Sequence, residues 1–212
     1  MELKDKKVLV FGTGISGIGA VELLEKVQAK PVLYDGNTKL TKAEISERLP
    51  MGSNADIIIG DLPEDIMASL DLAVLSPGVP TDLPLVNKMR ENGIPVWGEV
   101  ELAYVNSKGS VLAITGTNGK TTTTSLLGEI MKYHAKEVYV VGNIGNPYTQ
   151  VALEMTPDAV TVAEISSFQL ETIHSFRPKV SAVLNITPDH LDRHHTMEEY
   201  IRVKDSITLN QG

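Results

Sequence analysis

Short runs that are apolar at nearly every position recur along this chain, and stretches with helical spacing separate them. Lys7–Phe11 reads KVLVF, and Lys30–Asp35 and residues 55–60 and 70–76 are of the same kind. A strand with water on one face alternates apolar with polar residues. Strands that do not alternate are covered on both faces, and intervening helices that supply the cover imply a parallel sheet. GIGAVELLEKV meets that need, with Ile18, Val21, Leu24 and Val27 at helical spacing, and residues 83–92 form a second helix that stops before Gly93. The pattern then restarts: Ser110–Thr115, a helix from about Gly119, and strands over 137–142, 158–166 and 179–187. The expectation is an α/β protein of two units, a Rossmann-like N-terminal domain with a parallel sheet over 1–98 and a P-loop-type α/β central domain over 99–212. The second unit runs out straight after a helix, at DSITLNQG, and reads as an incomplete domain.

Charge narrows the partners. The net charge is −8 over 212 residues and no basic tract occurs, which argues against nucleic acid or an anionic membrane surface. An acidic protein that binds a nucleotide must do so locally, with backbone N–H groups, helix N-termini, a lysine or two and a metal. The N-terminus MELKDKKVLV is charged and enters a strand at once, without the apolar segment of a signal peptide. There is no cysteine, hence no disulfide framework and no thiolate metal site. A cytoplasmic monomer is expected.

Two glycine loops follow the first strand of each unit. Gly12-Thr13-Gly14-Ile15-Ser16-Gly17 fits GxGxxG between a strand and a helix, where glycines let the backbone approach a diphosphate at the helix N-terminus. Asp35 ends the second strand, where a dinucleotide fold places its ribose-binding acid. The ligand is NAD or another diphosphate, and Ser76-Pro77-Gly78 follows the fourth strand at the same sheet edge. The second loop, GTNGKTTTT over 116–124, is too short for GxxxxGK[ST], because the position of that pattern's first glycine holds Ile114. Physically it still offers loop amides, the Lys120 charge and a Thr121 hydroxyl suited to magnesium.

Such a loop needs a carboxylate near the metal, and Glu164 stands in an otherwise apolar strand, TVAEISS. A carboxylate there is costly unless paired or metal-bound. His190, after the next strand, is a candidate imidazole ligand, whereas His194 and His195 read as solvated loop residues. In the helix over 197–208, Met197, Tyr200, Ile201 and Ile207 form an apolar stripe, and Lys204 falls on it rather than on the face of Glu198, Glu199 and Asp205. An inward lysine must snorkel, meet an anion or change its chemistry.

Taken together, GTGISG, GTNGKTT, VGNIGNP, EISSFQLE, NITPDHLDRH and Tyr200-x-x-x-Lys204 resemble the Mur ligase family, over about residues 6–210. The GxGxSG first domain together with EISSFQLE is most similar to the members that add D-glutamate to UDP-N-acetylmuramoyl-L-alanine, and Asn118 stands where the L-alanine-adding member tends to have His; a member adding a different amino acid is the alternative. The resemblance implies a UDP-sugar rather than NAD in the first domain, with Gly14, Ile15 and Ser16 at the diphosphate, Asp35, Gly36 and Asn37 at the uracil and ribose, and Gly78 nearby. Gly36-Asn37 departs from the Thr-Arg that the family often has there. ATP would lie on Gly116, Thr117, Asn118, Gly119, Lys120, Thr121 and Thr122, and Asn143 and Ser167 would face the acceptor. Two magnesium ions would be held by Thr121, Glu164, His190 and a carbamate formed on Lys204 from carbon dioxide. Lys120, His190 and Lys204 would be the catalytic residues of an ATP-dependent amide ligation through an acyl phosphate. The family's third domain, which binds the incoming amino acid, has no counterpart in the chain, so the chain alone is expected to make no product.

Overall fold

The computed structural model describes residues 2–210, so Gln211 and Gly212, the end of the DSITLNQG stretch, lie outside the described residues. Among the described residues, nine strands form two sheets. β1 (Lys7–Phe11), β2 (Lys30–Asp35), β3 (Asp56–Ile59), β4 (Leu72–Leu75) and β5 (Val96–Gly98) make the first, and β6 (Ser110–Thr115), β7 (Val138–Gly142), β8 (Val160–Glu164) and β9 (Val180–Val183) the second. The helices that interleave with them are α1 (Ile15–Lys26), α2 (Lys42–Ser46), α3 (Glu64–Ala68), α4 (Pro84–Glu91), α5 (Glu99–Asn106), α6 (Lys120–Met131), α7 (Tyr148–Val151), α8 (Ser167–Leu170), α9 (Leu191–His194) and α10 (Met197–Asp205).

Every strand pair is parallel. The first sheet runs β3-β2-β1-β4-β5 and the second β7-β8-β6-β9. The α/β class with parallel sheets, expected from the unalternating strands, is the architecture found. In each sheet the strand order reverses beside the strand that carries a glycine loop, β1 in one and β6 in the other. A crevice opens at such a reversal, at the carboxyl ends of the strands. Both loops therefore sit where open α/β sheets take their ligands.

The two sheets share one apolar cluster, with Val21 and Leu24 from α1, Val100 and Ala103 from α5, Tyr148 from α7 and Ala152 just after it. Gly19 lets α1 and α7 touch, since a Cβ there would lie 2.6 Å from the Thr149 hydroxyl. The buried carboxylate of Glu101 in α5 accepts the backbone N–H groups of His174, Ser175 and Phe176 at 2.9, 2.6 and 3.0 Å. These bonds offset the cost of burying its charge.

Three elements end earlier than their apolar patterns suggest. β8 stops at Glu164 because Ser166 and Gln169 form a reciprocal capping box that starts α8. β9 stops at Val183; from Leu184, whose N–H still reaches Thr115 O at 3.0 Å, the chain turns to pack on the second glycine loop. The last helix ends at Asp205 and continues as a 3-10 turn over Ser206–Thr208. Its buried stripe is Tyr200, Val203, Lys204 and Ile207, while Ile201 faces out. Ile201 is replaced on the inner face by Val203, nearly opposite it round the helix, and Lys204 does point inward.

Candidate functional site

The first loop is a backbone site. Gly12 takes φ 105°, and Gly14 precedes α1 in an extended conformation with no side chain capping the helix. The free N–H groups of that first turn attract anions. Gly17 is required sterically: a Cβ there would fall 1.9 Å from Gly12 O. Asp35 braces the loop from below, its Oδ2 accepting from the Thr13 N–H (3.2 Å) and hydroxyl (2.8 Å) and its Oδ1 from the Asn37 N–H (3.0 Å). Ile15, Gly36, Asn37 and Gly78 are exposed, and Ser16 is half-buried. A cleft of about 300 Å³ opens on Thr13, Gly14, Ile15, Ile18, Arg48 and Gln150. Arg48 supplies a cation, and no motif singles it out in the sequence. Gln150 comes from α7, so the second unit contributes to the cleft's wall.

The second loop carries its charges in side chains. Gly119 takes the left-handed conformation, φ 83°, immediately before α6. Lys120 folds back, donating from Nζ to Gly116 O (2.9 Å) and Thr117 O (2.8 Å). The loop is clasped from the β9 side, where Asn118 N–H donates to Asn185 Oδ1 and Asn185 Nδ2 returns a bond to Asn118 O, both at 2.9 Å. The Thr117 hydroxyl lies 3.1 Å from Tyr200 OH and accepts from the Thr187 N–H at 3.0 Å. Thr121 and Thr122 open the helix, exposed to solvent.

Lys204 arrives at the same loop from α10, only 2 % exposed. Its Nζ donates to Gly116 O at 2.9 Å and lies 4.9 Å above the Tyr200 ring. Two ammonium groups thus converge on one carbonyl oxygen, that of Gly116. Burial, and then repulsion from Lys120, bring the Lys204 pKa down to about 8, with Asp189 opposing. Glu164, 1 % exposed at the end of β8, accepts the Asn143 Nδ2–H at 2.9 Å on Oε1, and its buried Oε2 has no partner. A carboxylate oxygen left unpaired in a buried site is a fit for a cation.

The family profiles divide along these two loops. Residues 6–98 match the Mur ligase MurD-like N-terminal domain, and residues 114–212 match the Mur ligase middle domain. The chain belongs to the Mur ligase family. Over its full length it is 60% identical to a UDP-N-acetylmuramoylalanine--D-glutamate ligase of Lachnoclostridium phytofermentans and 59% identical to one of Lachnospira eligens, covering 46% and 47% of those relatives. A relative of the same name from Clostridioides difficile is 48% identical, with 47% of it covered. The chain spans about half the length of the curated relatives it matches. A solved UDP-N-acetylmuramate-alanine ligase of Thermotoga maritima shares the fold at a TM-score of 0.51 and 23% identity, covering 97% of this chain and 47% of that one.

Within the Mur ligase site, several residues stand apart from the sequence expectation. His190 is half exposed, in a left-handed turn before α9, with its Nε2 3.5 Å from Asp189 Oδ2 and its ring 4.9 Å from that of Phe168. Among the described residues no three His, Cys, Asp or Glu side chains converge as a metal-holding group; the fit of a cation rests on Glu164. His194, read as a solvated loop residue, is buried at 2 % exposure, because α9 turns it inward onto Ser167 Oγ at 2.9 Å. Burial lowers its pKa, against the pull of Glu171. Ser167, expected at the acceptor, is itself buried and spends its hydroxyl on that contact. His195 is exposed, as expected.

Proposed function

We propose that this Mur ligase chain supplies the acceptor-binding and ATP-using parts of an enzyme that joins D-glutamate to UDP-N-acetylmuramoyl-L-alanine. The similarity to ligases of that name supports the substrates. One observation carries the chemistry: two lysines aimed at Gly116 O, and at the end of the neighbouring strand a buried carboxylate, Glu164, with an unpartnered oxygen. The division of labour falls at residues 98 and 99. In the first domain the N–H groups at Gly14, Ile15 and Ser16 hold the UDP diphosphate, while Asp35, Gly36, Asn37 and Gly78 edge the nucleotide, and Arg48 adds charge to the cleft.

In the second domain the amides of 116–122 cradle the β- and γ-phosphates, and Lys120 exchanges its carbonyl partners for phosphate oxygens. Thr121, Glu164 and His190 would hold magnesium, which supplies charge neutralisation on the phosphoryl oxygens. Asn143 orients Glu164 and faces the acceptor. Lys204 with a pKa near 8 has a neutral fraction at physiological pH. Its Nζ lone pair attacks the carbon of carbon dioxide, a proton leaves, and an N–C bond forms. The resulting carbamate would turn a buried cation near Lys120 into an anion and relieve their repulsion, and its oxygens would help hold a second magnesium.

The acceptor carboxylate then attacks the γ-phosphorus, and the bond to the ADP oxygen breaks. D-glutamate's amine attacks the acyl phosphate carbonyl, loses a proton and expels phosphate, leaving an amide. Lys120 stabilises the charge that moves onto the transferring group. The working place inferred is the cytoplasm, where ATP and UDP-linked precursors are available, and the working form a monomer, which sedimentation tests. The test is ADP release by the full-length protein. Release that requires both UDP-N-acetylmuramoyl-L-alanine and D-glutamate supports the reading; release indifferent to either contradicts it.

A further inference from the structure

Arg193, three residues after His190, touches both domains. Its side chain is 12% exposed. Nε and Nη2 donate to Glu171 Oε1 and Oε2 at 3.1 and 2.6 Å, a two-point pairing, and Nη2 also donates to Val79 O at 2.9 Å. Val79 belongs to the first domain and closes the turn after β4, donating its N–H to Ser76 O at 2.9 Å. Glu171 crosses the same boundary, accepting the Thr81 hydroxyl at 3.1 Å. Below the guanidinium, 5.0 Å away, lies the Phe168 ring that also packs on His190.

These contacts join the functional edges of the two domains. A Cβ at Gly12 would lie 3.4 Å from Val79 Cγ2, so the turn that Arg193 holds is the one beside the first glycine loop. A role limited to local stability would need Glu171 alone. The bond to the Val79 carbonyl adds something different, a fixed placement of one domain against the other. Only a guanidinium can make the bidentate pairing and this third bond from one planar group; a lysine offers a single point of charge.

We propose that Arg193 is a positioning residue that keeps the His190 loop and the turn at 76–79 in register, so that the acceptor carboxylate held by the first domain meets the γ-phosphate held by the second. The proposal rests on the reading of the protein as an acyl-phosphate-forming ligase. The chain has no cysteine, so spin labels can be placed cleanly at Met51→Cys and Tyr133→Cys, both fully or largely exposed and one in each domain. The labelled parental chain should give one narrow distance distribution, and Arg193→Ala a broadened one at an unchanged circular dichroism spectrum. In the full-length protein, Arg193→Ala should lower kcat by about 100-fold, the scale of a 1 Å misplacement, with the Kd for UDP-N-acetylmuramoyl-L-alanine unchanged. Arg193→Lys, which keeps the charge and stem, should fold as the parent does and fall between the two in kcat. A parental kcat in both variants, or a loss of acceptor affinity that accounts for the whole defect, overturns the positioning role. A full-length parent that does not couple ATP use to ligation overturns the ligase reading instead, and the positioning role with it, whatever the distances show.

Discussion

The two glycine loops solve the same backbone problem and differ in what surrounds the solution. Each follows the central strand of a parallel sheet at the point where strand order reverses, and each feeds a 12-residue helix, α1 or α6. Around the first, the one carboxylate is already spent, Asp35 on Thr13 and Asn37, and among the described residues no lysine hydrogen-bonds a loop carbonyl. Around the second, Lys120 and Lys204 crowd Gly116 O, and Glu164 keeps a buried oxygen without a partner. On the proposed reading, the first loop holds a ligand and the second, with its unresolved charge, is poised to change one, which would divide binding and chemistry between two domains of similar build.

The sharpest break in this comparison is Lys120→Ala in the full-length protein. Loss of one preorganised charge at a phosphoryl group should lower kcat by about 1,000-fold, with UDP-sugar affinity unchanged; the assay is coupled ADP release with calorimetry alongside. Gly17→Ala tests the first loop as a packing problem. Its Cβ would meet backbone at 1.9 Å, so a loss of about 3 kcal/mol is expected in urea unfolding, together with loss of UDP-sugar binding.

Lys204→Met probes the unresolved charge directly. The folded pKa lies near 8, below the ordinary lysine value of 10.5, so between these the unfolded chain binds more protons than the folded one. Stability of the parent should therefore rise with pH across that window, and the penalty should be fully present below about pH 8. The shift corresponds to about 3 kcal/mol. In carbon-dioxide-free buffer the methionine variant should lose this rise, which thermal melts over a pH series would show. The smallest effect is expected at Gly119→Ala. There a Cβ meets nothing closer than Leu184 Cδ1 at 3.8 Å, so only the left-handed φ is strained, at a cost of about 1 kcal/mol.

Much of this organisation is legible in the residues. Unalternating apolar strands announce parallel sheets, and the boundaries of β1, β2 and β6 coincide with their apolar runs. Glu164 and Lys204 stand out because each breaks an apolar pattern, and both prove buried. What is not legible depends on contacts between segments distant in sequence. His194 looks solvated in a polar stretch and becomes buried only when α9 folds onto α8. Arg193 has the same plain context, and its partners Glu171 and Val79 are 22 and 114 residues away. Ser167 belongs to a motif, yet its hydroxyl is taken by that same histidine. Ile201 and Val203 trade places on the stripe because α10 buries a face set by its packing on α8 and α9.

The central claim, that one loop binds while the other conducts metal-dependent phosphoryl chemistry, is tested most directly by manganese electron paramagnetic resonance with ATP on the full-length protein and its Glu164→Gln variant. The account predicts that the variant binds manganese–ATP about 10-fold or more weakly, the scale of losing a metal-site group, and binds UDP-N-acetylmuramoyl-L-alanine as the parent does. Equal manganese–ATP affinity in the two proteins would contradict it.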